Sequence, residues 1–279
     1  MDIQLIAFDL DGTMLDDRKN IPEQNKTALT KCVEKGIYVV PATGRTAEGI
    51  PEQVFSVPGI RYAITVNGAK IEDLWEKKVI GEALLKKELA LQVLEIAREY
   101  PVMYDVYIDG RGKSEERFLN NLDKYAVKPE IQVLIRKTRD CIPDIYAYIR
   151  DCKEYIDKIN IFFADMQMRE EVRAKLAHIP GIITTSSMGN NLEINAIEAT
   201  KGNALLKLAD YLGIHREQIM AFGDGENDIS MIRDAGLGVA MENAQDSLKQ
   251  TADYVTSSNN DGGIAAAVQK FILADTSIV

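Results

Sequence analysis

Two aspartates, Asp9 and Asp11, are the residues of this sequence best suited by type and spacing to chemistry. They follow a short apolar run at 3–8 and precede Gly12, which predicts a buried strand that ends in a tight turn. On an extended backbone, residues two apart project to the same side. The carboxylates of Asp9 and Asp11 would therefore repel each other unless a cation or a proton offsets their charge. In open α/β sheets, ligands bind beyond the carboxyl ends of the strands. Asp9 and Asp11 are therefore candidate catalytic or metal-binding residues.

Two other interpretations of this turn have to be weighed. A solvated turn rich in Asp and Gly stays open when the stretch is taken alone, because both residues are common in turns. A calcium-binding loop fails on spacing. Counted from Asp9, its sixth and twelfth positions require Gly and Glu but hold Met14 and Asn20. The turn therefore needs partners elsewhere in the chain.

Phosphate-binding groups are predicted at two later points of the chain. Thr43 and Gly44 follow an apolar strand and can donate a hydroxyl and an exposed amide to a phosphate oxygen, although such a pair also occurs in ordinary turns. Lys201 begins a predicted helix, and a helix amino terminus favours an anion. Taken alone, a lysine in such a position is more often a solvated surface residue than a ligand-binding one.

An acidic turn follows a further predicted strand at 219–222 and contains Asp224, Asn227 and Asp228. Its carboxylates can complete a site for a hard cation. A calcium loop fails here as well, because the sixth and twelfth positions hold Ile229 and Ala235. All four segments lie where parallel strands or their following helices open onto one crevice, so we expect them to form a single site.

The residue types suit phosphoryl transfer. A carboxylate such as Asp9 can attack phosphorus and form an aspartyl-phosphate, which divides one difficult hydrolysis into two easier steps. Asp9, Asp224 and the backbone carbonyl of Asp11 can hold Mg²⁺, which offsets the repulsion between carboxylate and phosphate. The Asp11 side chain is then available as acid and base, and Thr43 and Lys201 steady the phosphoryl oxygens.

The order of predicted elements indicates an α/β protein. Strands and helices alternate at both ends of the chain, as in a doubly wound parallel sheet. The middle of the chain does not follow this alternation. We therefore predict a core formed by residues 1–82 and 191–279, with an α+β domain inserted at 83–190. Within these regions the patterns predict a helix over 47–55 and a strand over 131–135.

Composition excludes several classes of function. The 279-residue chain is 46% hydrophobic and 27% charged and has a net charge of −10, which argues against nucleic acid or an anionic membrane surface as a partner. Two histidines leave little for a zinc site. Without a signal peptide or an apolar run of about 20 residues, a cytoplasmic protein is predicted. The cysteines are predicted to be reduced and mostly buried: Cys32, Cys141 and Cys152.

Four stretches together resemble the motifs of the haloacid dehalogenase superfamily, and their order and spacing resemble its Cof-type, sugar-phosphatase-like subfamily: Asp9–Thr13, Thr43–Arg45, Lys201–Gly202 and Gly223–Asp228. The resemblance covers essentially the whole chain. It implies a Rossmann-like parallel-sheet core with an α/β cap inserted between the second and third motifs. The run 196–200 before Lys201 differs from the family pattern, which concerns the shape of that loop and leaves the motif residues unchanged.

The resemblance also implies catalytic and metal-binding roles. Asp9 is expected to be the nucleophile and Asp11 the acid and base. Mg²⁺ is expected at Asp9, Asp11 and Asp224, with Asp228 in the outer shell of the metal or bracing Lys201.

Phosphate contacts are implied for five positions: the Leu10 amide, Thr43, Gly44, Lys201 and Asn227. The expected function is that of a Mg²⁺-dependent phosphatase for small phosphorylated metabolites, with sugar phosphates foremost, whose cap selects the leaving group. A phosphoryl-transferring mutase, a phosphatase for one intermediate, and an idle phospho-ligand sensor stay open as alternatives. Whether the protein is a monomer or a homodimer is left open too. Cap side chains able to contact a substrate are Tyr104, Tyr107, Arg136 and Arg139.

Overall fold

The computed structural model describes residues 2–151 and 155–274. Its strands are, in chain order, β1 Leu5–Phe8, β2 Tyr38–Pro41, β3 Tyr62–Thr65, β4 Lys70–Asp73, β5 Lys78–Glu82, β6 Leu85–Lys86, β7 Met103–Ile108, β8 Arg111–Glu115, β9 Arg139–Ile142, β10 Tyr155–Ile156, β11 Lys158–Phe162, β12 Ile182–Thr185, β13 Asn191–Ala196, β14 Ile219–Gly223, β15 Leu237–Ala240 and β16 Tyr254–Val255.

The helices of the described chain are α1 Glu23–Glu34, α2 Lys87–Ala97, α3 Glu116–Leu119, α4 Pro129–Thr138, α5 Ile145–Asp151, α6 Met166–Leu176, α7 Lys201–Leu212, α8 Ile229–Asp234, α9 Asp246–Thr251 and α10 Gly263–Val268. The chain divides into two compact units. The first comprises the described residues up to Glu82 and from Thr200 onward, and the second comprises Ala83–Ala199. Each unit has its own hydrophobic cluster.

The first unit contains a five-stranded parallel sheet in the order β16-β15-β14-β1-β2. The inner strand β1 is buried along its whole length, as expected for a strand covered on both faces of a parallel sheet. Beyond β2, a parallel bridge joins Ala42 to Ile64 at the end of β3, which also pairs with β4 in a three-stranded antiparallel sheet. The carboxyl ends of β14, β1, β2 and β3 therefore meet at one edge, which is where the predicted motifs lie.

The second unit is built on a six-stranded sheet in the order β12-β13-β11-β7-β8-β9. Its pairs are antiparallel except for β8 with β9. Helices α2, α5 and α6 bring apolar residues to its hydrophobic cluster, among them Val93, Ile149 and Val172. The predicted fold class, a parallel α/β core with a second α+β region inserted in the sequence, is confirmed.

Three details of the sequence prediction are wrong. The region 47–55 forms two short 3₁₀ turns, Ala47–Gly49 and Glu52–Ser56, because Pro51 lies between them and disfavours a continuous helix. The region 131–135 lies in helix α4 and is not a strand. Its apolar residues follow helical spacing, with Ile135 buried and Val133 exposed, and Pro129 occupies the first turn, where proline is favoured.

The third correction concerns the second boundary of the inserted region. The sequence pattern predicts this boundary between residues 190 and 191, whereas the units separate between Ala199 and Thr200. Strand β13 accounts for the difference, because it pairs on both sides with strands of the second unit, β11 and β12. A single sequence does not indicate which of two sheets an apolar strand next to a domain boundary will join.

The cysteines only partly match expectation. Cys32 is buried and free, as predicted, whereas Cys141 is free but exposed, so Cys141 is not one of the buried thiols. Cys152 lies outside the described residues. Within the described chain, none of the helices combines the length and the apolar character that crossing a membrane requires.

Shortening a buried side chain of β1 should destabilise the first unit. Ile6 is fully buried in β1, and replacing a buried Ile by Ala costs about 2–5 kcal/mol. We expect Ile6→Ala to lower the free energy of unfolding by that amount in chemical denaturation. Val79→Ala on β5, where the residue is 42% exposed, is the control and should change it by less than about 1 kcal/mol. Equal losses in the two variants would contradict this packing.

Candidate active site

The turn after β1 folds back on itself and buries Asp9. The Asp9 N–H donates to the Phe222 carbonyl at 3.1 Å, which extends the pairing of β1 with β14, and the Asp9 carbonyl accepts from the Met14 N–H at 3.2 Å. The carbonyl of Leu10 accepts from the Leu15 N–H at 2.8 Å. Only 7% of Asp9 is exposed. The backbone therefore fixes this carboxylate at the end of β1.

Gly12 allows two motif turns to touch. Its φ of +87° lies in the left-handed region that L-residues with side chains avoid. A Cβ atom at this position would lie 2.4 Å from Oδ2 of Asp224. Thr13, the next residue, donates its hydroxyl to Oδ1 of Asp224 at 2.6 Å. The turn after β1 thus requires glycine for its own shape and for the approach of the second carboxylate.

Lys201 is the charged centre of the site. It is fully buried at the start of α7, and Thr200 caps this helix by accepting from the Asn203 N–H at 3.1 Å. The Lys201 ammonium donates to Oδ1 of Asp9 and to Oδ1 of Asp228, each at 2.5 Å. A buried charge is tolerated when it is paired and hydrogen-bonded, and here one cation bridges two carboxylates.

The ionisation of this trio reflects burial and mutual charge. Burial raises the pKa of Asp9 well above its ordinary value; the Lys201 charge opposes this shift, and the carboxylates of Asp228 and Asp224 add to it. For Lys201, burial alone would lower the pKa, but the charges of Asp228 and Asp9 outweigh it and raise the pKa above its usual range. Lys201 therefore stays protonated and supplies the positive charge beside Asp9.

Asp228 uses both carboxylate oxygens within the protein. Its Oδ1 accepts from Lys201, and its Oδ2 accepts from the N–H groups of Asp224 and Gly225, each at 2.9 Å. Asp228 therefore ties the acidic turn after β14 to the start of α7. This arrangement matches the expected bracing of Lys201.

Three carboxylates could hold a metal ion. One oxygen from each of Asp9, Asp224 and Asp228 lies within 4.8 Å of the others. Burial, followed by the charge of Asp228, raises the pKa of Asp224 to about 7, which shows that negative charge is crowded here and that a cation would relieve it. All-oxygen donors are those that Mg²⁺ prefers, so the donor set fits this ion. Since both oxygens of Asp228 are engaged, Asp9 and Asp224 are its best side-chain ligands.

The side chain of Asp11 has different partners. Arg45 binds it in a fork, with Nε 2.8 Å from Oδ2 and Nη2 2.9 Å from Oδ1, and Lys19 donates to Oδ1 at 2.8 Å. Burial would raise the pKa of Asp11, but the hydrogen bonds and charges of Arg45 and Lys19 outweigh it and lower the pKa to about 2. The Asp11 carboxylate lies outside the cluster of three carboxylates, so any direct part in metal binding falls to its backbone carbonyl.

The predicted phosphate-binding residues lie at neighbouring strand ends. Thr43 is buried; its N–H donates to the Ile64 carbonyl at 2.8 Å, and its hydroxyl accepts from the Arg45 N–H at 3.2 Å, across Gly44. Asn227 is buried in a 3₁₀ turn that leads into α8. Leu10, whose amide was expected to contact phosphate, has a fully buried side chain in the turn after Asp9.

Several contributors were missed at the sequence level. Arg45 lies within a predicted motif but was given no role, and neither Lys19 nor Asn67 was predicted to contribute to the site. Asn67 accepts a hydrogen bond from the Asn227 side chain at 3.1 Å. The available signal was its position directly after β3, at the same sheet edge as the other motifs.

The four candidate side chains of the second unit differ in their surroundings. Tyr104 and Tyr107 are buried in β7. The Arg139 side chain is 6% exposed, with its guanidinium 3.0 Å from Oδ2 of Asp105 and 4.6 Å from the centre of the Tyr107 ring. Arg136 lies exposed near the end of α4. Three of the four thus belong to the interior of the sheet region and one to a solvated helix face.

Comparison with known proteins agrees with these motifs. A family model described as haloacid dehalogenase-like hydrolase matches residues 6–268. A 5-amino-6-(5-phospho-D-ribitylamino)uracil phosphatase of Bacillus subtilis is 34% identical over 277 residues, which is 98% of this chain and 97% of that protein.

Solved structures give the same result. The solved structure of a haloacid dehalogenase-like hydrolase from B. subtilis superimposes with a TM-score of 0.84 at 28% identity, over 97% of this chain and 100% of that one. A sugar phosphatase of haloacid dehalogenase subclass IIB superimposes with a TM-score of 0.80 at 25% identity, over 96% and 98% of the two chains. Family membership, fold and phosphatase class were thus correctly predicted from the sequence.

Loss of the buried cation should destabilise the first unit. Lys201→Met leaves Asp9 and Asp228 buried without their shared partner, which costs about 3–5 kcal/mol in comparable sites. We expect a loss of this size in the free energy of unfolding, measured by chemical denaturation at pH 7 in EDTA. Lys207→Met, at an exposed position of the same helix, should change it by less than about 1 kcal/mol. A loss of less than about 1 kcal/mol in Lys201→Met would refute the bridging role.

Proposed function

This chain belongs to the haloacid dehalogenase-like hydrolases, and on that premise we propose that it is a Mg²⁺-dependent phosphatase of small phosphorylated metabolites, sugar phosphates foremost. The observation that carries the proposal is the buried trio of Asp9, Lys201 and Asp228 with Asp224 beside it. A structural ion pair alone needs no further carboxylate. A nucleophilic carboxylate that must approach an anionic phosphoryl group needs a fixed cation, here Lys201, and a site for a metal ion, which Asp224 helps to form.

Asp9 is the proposed nucleophile. It is held at the end of β1 by backbone hydrogen bonds, and Lys201 stabilises its ionised form. One of its oxygens attacks phosphorus to give an aspartyl-phosphate as the leaving oxygen departs; water then attacks phosphorus and releases phosphate. Asp9 and Asp224 would hold Mg²⁺, which would supply the positive charge that offsets repulsion between carboxylate and substrate. Lys201, Thr43 and the amides of the turns orient the phosphoryl oxygens.

Asp11 is the proposed acid and base. With its pKa lowered to about 2 by Arg45 and Lys19, it is ionised at neutral pH and suited to accept a proton from the attacking water. To protonate the leaving oxygen, it must first acquire a proton. The two contacts that stabilise its charge then have to loosen when substrate binds.

The substrate class is supported by the relatives. One is named for a phosphorylated ribityl compound and a structural neighbour is described as a sugar phosphatase. Both names describe a phosphate ester on a polyhydroxylated carbon chain. We propose the same chemical class for this protein. The relatives' names favour hydrolysis over transfer to a second acceptor.

Phosphate release tests the proposal directly. The purified protein should release phosphate from several sugar phosphates and from p-nitrophenyl phosphate in Mg²⁺. EDTA should abolish the release and added Mg²⁺ should restore it. Asp9→Asn, which keeps the shape but loses the nucleophilic charge, should reduce turnover to the detection limit. Asp210→Asn, at an exposed site on α7, should match the unmodified protein. Full activity in Asp9→Asn, or in EDTA, would refute the mechanism.

Metal binding has an independent readout. A ligand that binds only the folded state stabilises it by about 2.7 kcal/mol at a hundredfold excess over its Kd, so Mg²⁺ should raise the melting temperature. Asp224→Asn keeps the acceptor for Thr13 but removes one ligand charge, and it should largely lose this rise. Asp210→Asn should keep it. A rise of the same size in Asp224→Asn would show that Asp224 does not ligate the ion.

A further inference from the structure

The turn Val66–Gly68, between β3 and β4, has a backbone conformation that its sequence does not favour. Val66 and Asn67 both have positive φ, 51° and 59°. Asn tolerates the left-handed region, whereas a β-branched residue such as Val is a true outlier there. Such a backbone conformation is strained and persists only where its surroundings impose it. Both side chains are buried, so packing and hydrogen bonds hold the turn in place.

The first two residues of this turn hold the segment that contains Gly44. The Val66 N–H donates to the Arg45 carbonyl at 2.9 Å, and the Asn67 N–H donates to the Thr43 carbonyl at 3.0 Å. These two bonds fall on either side of Gly44. Both bonds require the N–H groups of Val66 and Asn67 to point the same way, and the positive φ angles of these two residues give that orientation. The strained backbone thus sets the position of the predicted phosphate-binding residue Thr43.

The side chain of Asn67 reaches a second motif. Its Oδ1 accepts from Nδ2 of Asn227 at 3.1 Å, and both side chains are buried. A carboxamide has a donor end and an acceptor end, and this bond determines which way the Asn227 amide points. Asn67 therefore fixes the orientation of the group expected to meet a phosphoryl oxygen.

The last residue of the turn lies against a third motif. A Cβ atom on Gly68 would lie 2.2 Å from the Thr200 carbonyl, and its φ is +98°. Thr200 directly precedes Lys201 at the start of α7. Glycine at 68 is thus needed for the turn to approach the helix that carries the buried lysine.

We propose that the turn Val66–Gly68 aligns three phosphate-binding segments, those of Thr43, Lys201 and Asn227, and that Asn67 is a positioning residue that acts through Asn227. This inference rests on the proposed function, since it assigns the alignment to phosphate binding. The alternative, a turn that serves packing alone, does not explain why its three residues together contact three motif segments.

Asn67→Gly separates the side chain from the backbone. Glycine adopts a φ of 59° without strain, so the turn and its bonds to the Thr43 segment are retained while the contact with Asn227 is lost. We expect kcat/KM for a sugar phosphate to fall about tenfold, mainly through a higher KM, because the phosphate is held in ground and transition states alike. Lys77→Gly, at an exposed residue with a φ of 51°, is the matched control and should leave both constants unchanged.

A double-mutant cycle tests whether Asn67 acts through Asn227. Asn227→Ala should also lower kcat/KM about tenfold, and the double variant should be no worse than Asn227→Ala alone. Effects that multiply to about a hundredfold would show that Asn67 acts independently and would overturn the proposal. So would unchanged kinetics in Asn67→Gly, or an unfolded Asn67→Gly beside a folded Lys77→Gly.

Binding of inorganic phosphate separates this inference from the proposed function. Calorimetric titration in Mg²⁺ should show a Kd about tenfold weaker in Asn67→Gly than in the unmodified protein and in Lys77→Gly. If the unmodified protein hydrolyses no ester yet shows this weakening, phosphatase activity is refuted and the alignment stands. If it hydrolyses esters and Asn67→Gly binds phosphate equally well, the alignment alone is refuted. A protein that neither hydrolyses esters nor binds phosphate would refute both.

Discussion

One fully buried ammonium group, that of Lys201, holds the candidate site together. It lies 2.5 Å from both Asp9 and Asp228, and without it the first unit would bury carboxylates that no cation balances. The contact also joins parts of the chain that are far apart in sequence: the turn after β1, the start of α7 and the turn after β14. Charge balance at this point is therefore a condition of folding as well as of the proposed chemistry.

The parallel sheet makes that contact possible. Because β1 lies between β14 and β2, the turns that follow these strands open at one edge, and β3 adds a fourth. Glycines at 12 and 68 allow the backbones of these turns to approach to distances that a side chain would prevent. The site thus combines a common α/β rule, ligands at the carboxyl ends of strands, with local backbone shapes that only certain residues permit.

Much of this was predictable from the sequence. The apolar run before Asp9 and the alternation of strands and helices indicated the core, and four motifs indicated the site. Prediction failed where the decisive contact is distant. Strand β13 belongs to the second unit because it pairs with β11 and β12. The helix over 131–135 is a different case, because its signals, Pro129 and the helical spacing of the apolar residues, are local. The fork of Arg45 on Asp11 and the bond of Asn67 to Asn227 link distant positions and leave no local pattern.

The central claim is that Asp9 carries the phosphoryl group during turnover. The most direct measurement is mass spectrometry of protein quenched in acid within milliseconds of mixing with a sugar phosphate and Mg²⁺. We expect a phosphoryl group on the peptide that contains Asp9, and we expect this phosphopeptide to form and disappear at rates compatible with turnover. Steady release of phosphate without any phosphorylated peptide, or with the phosphoryl group on another residue, would contradict this role of Asp9.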